Sequence, residues 1–236
     1  MYSRFSLVWL TLLLRLCVSG IAFSVAAVTL VALPVQAKQI NQLTANIAAK
    51  PKIASTQTIV VFGDSLSAAY GIEPSLGWVT LLQQRLTTQK YNYKVVNASI
   101  SGETTSGGLS RFGAMLLEHK PNIVVIELGA NDGLRGLPVT DMQSNLDKMI
   151  LLAKPAKLVL IGMQIPPNYG IKYRQDFSDS FKVLAKKHRI TLVPFLLDGV
   201  AGKPSLTQDD GLHPIAAAQG KLLDNVWPLL KPLLKH

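Results

Sequence analysis

The sequence predicts an α/β protein, a five-stranded parallel sheet with helices on both faces, and three observations support this. Short apolar runs alternate with segments whose apolar residues recur every three or four positions, and the alternation repeats five times between Thr58 and Leu230. Each run is long enough for one buried strand and is separated from the next by room for a crossover helix. Small polar residues and glycines cluster where the first three runs end, as expected where strands hand over to loops.

Thr58 to Phe62 reads as the first buried strand, followed by a helix stripe of Trp78, Leu81, Leu82 and Leu86. Tyr93 to Ala98 is the second strand, and Leu109, Phe112, Met115 and Leu116 mark its crossover. The third pair is Ile123 to Leu128 with Met142, Leu146, Met149 and Ile150, and the fourth is Leu158 to Met163 with Phe177, Phe181, Leu184 and Ala185. Ile190 to Phe195 closes the series as a fifth strand, with Ala216 to Leu230 as the last helix. The aromatic members of these stripes, Trp78, Phe112 and Phe181, are expected in the core.

Residues 1–37 carry Arg4 and Arg15, no acidic residue, a long apolar stretch and a small-residue exit at Val35 and Ala37. This is the order of a secretory signal peptide, with an uncleaved membrane anchor as the competing reading. Residues 38–57 are polar, rich in alanine and interrupted by Pro51, as in a flexible spacer, so the folded domain is expected over 58–236. An exported chain belongs in the periplasm or outside the cell. Cys17, the single cysteine, lies in the leader, which excludes a disulfide scaffold, a cysteine hydrolase and thiolate zinc ligation for the domain.

The formal charge is +10, and the leader accounts for two basic residues. The basic residues are scattered and form no stripe that would track a nucleic acid backbone, so no nucleic acid partner is expected. The charge suits a solvated basic face or contact with an anionic membrane surface.

Ligands of open parallel sheets bind beyond the carboxyl ends of the strands, at the point where strand order reverses. Three strand-end loops there are rich in chemistry: Gly63-Asp64-Ser65-Leu66-Ser67, Asn97 to Thr104 around Gly102, and Gly129-Ala130-Asn131-Asp132-Gly133. A fourth block, Asp209-Asp210-Gly211-Leu212-His213-Pro214, comes late. Acyl transfer needs a nucleophile, a base, a group that orients the base and donors for the developing oxyanion. Ser65 supplies a hydroxyl where a strand ends and a helix could start, and its own N–H could serve as a donor. Gly102 lets backbone approach a substrate oxygen, and Asn131 offers a side-chain amide. His213 is the base, and Asp210, three residues earlier, can fix its tautomer; Asp209 is the rival. Asp64 reads as a local partner of its loop. His119 and His188 end amphipathic helices, where a positive ring suits the helix dipole, and His236 is terminal.

These blocks resemble the SGNH-hydrolase family, also called GDSL esterases, whose first block Gly63-Asp64-Ser65-Leu66 spells literally. The segments Val95 to Thr104, Glu127 to Gly136 and Ile165 to Gly170 are similar to the family's bacterial periplasmic branch, which acts on acyl-CoA thioesters, lysophospholipids and aryl esters. The likeness runs from about Thr58 to Leu230. It implies a three-layer flavodoxin-like fold and a triad of Ser65, Asp210 and His213. Ser65, Gly102 and Asn131 would form the oxyanion hole, and no metal or other cofactor would be needed. Glu103 departs from the family, where aspartate is frequent. Leu134, Pro166 and Tyr169, from the loops Leu134 to Pro138 and Ile165 to Gly170, are expected to contact the substrate. The expectation is a monomeric esterase acting on small acyl esters, thioesters or lysophospholipids. A carbohydrate deacetylase of the same fold and a non-catalytic lipid-binding protein of the envelope are the alternatives.

Overall fold

The computed structural model describes residues 55–235. The expected leader, most of the spacer and His236 lie outside that range. Five strands are laid down in chain order: β1 (Gln57–Gly63), β2 (Tyr93–Asn97), β3 (Ile123–Glu127), β4 (Lys157–Ile161) and β5 (Thr191–Val193). All pair in parallel, in the spatial order β2-β1-β3-β4-β5. Parallel pairing requires crossovers, and six helices supply or follow them: α1 (Trp78–Thr88), α2 (Thr105–His119), α3 (Ala130–Leu134), α4 (Val139–Leu152), α5 (Ile171–His188) and α6 (Gln219–Leu230). Helices α1 and α6 pack together on one face, while α2, α4 and α5 line up on the other. This is the three-layer arrangement expected from the alternation.

Burial follows from position in the sheet. Every residue of β3, the middle strand, is buried, whereas edge strand β2 buries only Tyr93 fully. Central parallel strands are covered on both faces and therefore read as continuous apolar runs. Trp78, Phe112 and Phe181 are core residues as expected.

The second and third strands end one residue before the sequence expectation, at Asn97 and Glu127, the fifth starts one residue late, at Thr191, and the fourth and fifth each end two residues early. The fifth run reads to Phe195, but pairing stops at Val193 because Pro194 has no N–H to extend the ladder. The fourth run stops at Ile161 because Gly162 turns against that proline; a Cβ on Gly162 would lie 2.4 Å from the Pro194 carbonyl oxygen. Ser65 does not begin a helix: residues 65–71 form successive turns instead. Asn131, expected on a loop, sits in the five-residue α3.

The chain runs from β1 outward to β2, then crosses back over β1 to β3. The order therefore reverses between β1 and β3, and the loops leaving β1, β2 and β3 converge at their carboxyl ends.

Candidate active site

The β1 loop is shaped by Asp64. Its Oδ1 accepts the Leu66 amide at 3.0 Å, a local turn that sets the angle of Ser65. Beneath it lies Glu127, the last residue of β3, fully buried. Glu127 Oε2 accepts the Ser67 hydroxyl at 2.7 Å and the Asp64 amide at 3.2 Å. Gly63 is obligatory here, since a Cβ would fall 2.5 Å from that oxygen. Burial raises the Asp64 carboxyl to about 7, against the lowering effects of the Leu66 amide, His213 and Asn131. Burial, followed by the neighbouring Asp64, pushes Glu127 well above the usual carboxylate range. Its Oε1 has no hydrogen-bond partner among the described residues, which suits a protonated acid.

The β2 loop extends the sheet pairing through Ala98 N to Val61 O (2.8 Å) and Ile100 N to Gly63 O (3.0 Å), then turns at Gly102 with φ +78°. That left-handed conformation is the reason for glycine, because a Cβ would meet nothing within 4 Å. Three side chains brace the turn. Asn131 donates to the Glu103 carbonyl (2.9 Å), Arg135 to the Gly102 carbonyl (3.0 Å), and Arg111 to both the Glu103 carboxylate (2.6 Å) and the Ala98 carbonyl (2.8 Å). Glu103, the family departure, thus closes an ion pair at the base of the turn and leaves Gly102 free of it.

Helix α3 follows Gly129, whose φ of +119° turns the chain sharply out of the sheet against Met142 and Phe181. Asp132, buried, accepts the Thr105 amide (2.8 Å) and hydroxyl (2.6 Å), joining α3 to the start of α2. Asn131 then points back at the β1 loop, with Nδ2 3.2 Å from Asp64 Oδ2.

The late block folds back on itself through an antiparallel bridge between Thr207 and Pro214 and a 2.7 Å bond from Gln208 N to His213 O. Gln208 Nε2 also donates to the Tyr70 carbonyl at 2.8 Å, fastening this loop to the β1 loop, and the Tyr70 ring lies 4.6 Å from that of His213. His213 Nδ1 is 2.6 Å from Asp210 Oδ2, and Nε2 is 2.8 Å from Ser65 Oγ. A carboxylate can only accept, so Nδ1 carries the proton and Nε2 accepts from the serine hydroxyl. Burial alone would raise Asp210, but hydrogen bonds from the His213 amide and ring and the Leu212 amide outweigh it and bring the carboxyl down to about 2. Asp209 makes no such contact, so Asp210 is the acid that meets the ring.

The loops that carry these groups border one crevice of about 570 Å³, while Asp210, Gln208 and Glu127 stand behind its lining. Ser65, Gly102, Asn131 and His213 occupy one side, and Leu134, Met163, Ile165, Pro166, Phe195 and Leu197 supply apolar walls. The backbone N–H groups of Ser65 and Gly102 donate to no acceptor among the described residues. Tyr169 differs from its expected role: it does not line the crevice, and its hydroxyl donates to the Leu134 carbonyl at 2.7 Å. It stands behind the loop Leu134 to Pro138, as does Tyr173, which donates to the Leu137 carbonyl at 2.6 Å. Glu127, Arg111, Arg135 and Gln208 have no role in the sequence expectation. Glu127 stood there as a carboxylate inside the third apolar run, and Arg135 as a member of the loop Leu134 to Pro138.

Residues 61–221, a span containing all four loops, match the model of the GDSL-like lipase/acylhydrolase family. The chain is 54% identical over 183 residues to the esterase TesA of Pseudomonas aeruginosa, covering 77% of this chain and 91% of that one. It is 38% identical over 187 residues to the thioesterase 1/protease 1/lysophospholipase L1 of Escherichia coli, covering 78% and 88%. A crystal structure of TesA superimposes with a TM-score of 0.74 at 54% identity, over 75% of this chain and all of that one. The chain is therefore an acyl ester hydrolase and belongs to the GDSL-like lipase/acylhydrolase family.

Proposed function

We propose that this hydrolase is an exported serine esterase that forms an acyl-enzyme on Ser65, with lysophospholipids and other lipid or aryl esters as its substrates. The observation that carries the reading is the unbroken chain Asp210, His213, Ser65, with contacts of 2.6 and 2.8 Å, beside two backbone amides that meet no acceptor among the described residues.

Ser65 Oγ attacks the acyl carbon while its proton passes to His213 Nε2. The carbonyl π pair moves to oxygen, and the N–H groups of Ser65 and Gly102 receive the oxyanion together with Asn131 Nδ2. In the free enzyme both Asn131 hydrogens are spent on Asp64 and Glu103, so Asn131 must loosen one of these bonds to donate. Collapse breaks the ester or thioester bond, and Nε2 returns its proton to the departing alcohol or thiol. Water then loses a proton to Nε2, attacks the acyl-enzyme, and the acid leaves as Ser65 is reprotonated. Asp210 stays ionised throughout and orients the ring.

The apolar walls favour acyl chains over sugar acetates, and the basic, leader-bearing sequence favours envelope lipids over cytoplasmic coenzyme A thioesters. The wild type is expected to hydrolyse p-nitrophenyl acyl esters and to be labelled by a fluorophosphonate. Ser65→Ala is expected to lose the label and on the order of 10⁴-fold or more in turnover. Retained turnover near wild type would overturn the mechanism. Faster cleavage of acetylated sugars than of longer acyl esters would instead favour a deacetylase.

A further inference from the structure

The catalytic crevice shares a wall with a second hollow of about 300 Å³. Gln164, Ile165 and Arg174 border both, and Ile171, Gln175 and Ser178 complete the second. The two spaces differ in chemistry. The crevice is walled chiefly by apolar side chains, whereas the hollow sets two amides, a hydroxyl and a guanidinium beside Ile165 and Ile171, with Gln164 and Arg174 on the shared wall.

Arg174 is the only lysine or arginine on either lining. Its Nε donates to the Ile165 carbonyl at 3.2 Å, which fixes the plane of the guanidinium. Neither Nη1 nor Nη2 meets an acceptor among the described residues. The acids on the same helix do not compete: Asp176 pairs with Lys172 at 2.7 Å and Asp179 with Lys182 at 2.8 Å. A half-buried guanidinium with one edge pinned and the other open is preorganised to take two oxygens of one anion side by side.

We infer that Arg174, with Gln164 and Gln175 beside it, forms a subsite for an anionic oxygen group carried by the same ester whose acyl carbon sits at Ser65. The inference rests on the esterase reading above. Two parts of a substrate could bring that group: the phosphate of a lysophospholipid headgroup, or a carboxylate at the far end of the acyl chain. Either is a planar or tetrahedral cluster of oxygens that the open edge of Arg174 can bind, and either is joined to the ester by carbon that the apolar walls can cover.

The test uses the wild type and Arg174→Gln with two matched pairs of substrates. Lysophosphatidylglycerol is compared with a monoacylglycerol of the same chain, and a p-nitrophenyl hemiester of a dicarboxylic acid with the p-nitrophenyl ester of the monocarboxylic acid of equal length. In the variant, the ratio of kcat/KM for the anionic member over its neutral partner is expected to fall about tenfold in one pair, mainly through KM. The pair that responds identifies the source of the anion. Arg174→Lys, which keeps the charge without the fork, is expected to recover only part of the ratio. If both ratios stay within twofold of wild type while wild-type turnover is intact, the subsite is overturned and the esterase reading stands. If the wild type cleaves none of the four esters, the esterase reading itself falls.

Discussion

Two histidine and aspartate pairs in this molecule have the same 2.6 Å separation and opposite surroundings. His213 meets Asp210 through Nδ1, leaving Nε2 against the Ser65 hydroxyl in an open crevice. His188 meets Asp147 through Nε2, has a side chain only 6% exposed, and shares that carboxylate with Lys187 at 2.7 Å. Asp147 lies below its ordinary range because of hydrogen bonds from Lys187 and then His188. The second pair is a strut between α4 and α5, the first a candidate proton relay. A carboxylate beside an imidazole is therefore no signature of chemistry. What separates the pairs is the ring nitrogen left over and what that nitrogen faces.

The sharpest way to break the comparison is to remove each ring. His213→Ala is expected to lower kcat for a p-nitrophenyl ester on the order of 10⁴-fold or more, while His188→Ala leaves turnover within about twofold. Comparable losses in both variants would dissolve the distinction. Next come the carboxylates. Asp210→Asn removes the acceptor that keeps the proton on Nδ1 and should cost about 10²- to 10⁴-fold in kcat with little change in KM. Asp147→Asn should cost only stability, about 1 kcal/mol or roughly 3 °C in Tm.

The smallest effect concerns the buried acids beneath Ser65. Unfolded carboxyls ionise near 4, whereas Asp64 in the fold is raised to about 7 and Glu127 is raised as well. Between those values the folded chain binds more protons than the unfolded one, so this stabilisation is full at low pH and is lost as pH rises toward 7 and beyond. Glu127→Gln retains the oxygen that accepts from Ser67 and Asp64 but cannot ionise. It should flatten the fall in Tm between pH 5 and pH 8, with a gain on the order of 1 kcal/mol at pH 8. A wild-type Tm that rises over this interval would contradict the assigned charge state.

Much of this was legible in the sequence because the relevant signals are local. Buried parallel strands must be apolar throughout and their crossovers must be amphipathic, so all five strands and the principal helices could be read from periodicity. Two errors are local, because a single neighbouring residue overrides the periodicity: Pro194 cuts β5 short, and the turns after Ser65 are set by Asp64 rather than by helix propensity. Tyr169 shows a different limit, set by a distant segment. Its place near the crevice was readable, but the direction of its hydroxyl depended on where the Leu134 carbonyl came to rest.

The sequence by itself determined the layered α/β architecture, the order of the four loops and the residue types they carry, since periodicity and turn chemistry act over a few neighbouring residues. Only the tertiary structure decided that an imidazole 148 positions from Ser65 stands 2.8 Å from its hydroxyl, and that Asp210 rather than Asp209 meets the ring. It alone set Glu127 under the loop of Ser65 and left one edge of Arg174 with no acceptor among the described residues. Hydrogen bonds, burial and charge act through space between segments far apart in the chain, and no local pattern records which of them the folded sheet will bring together.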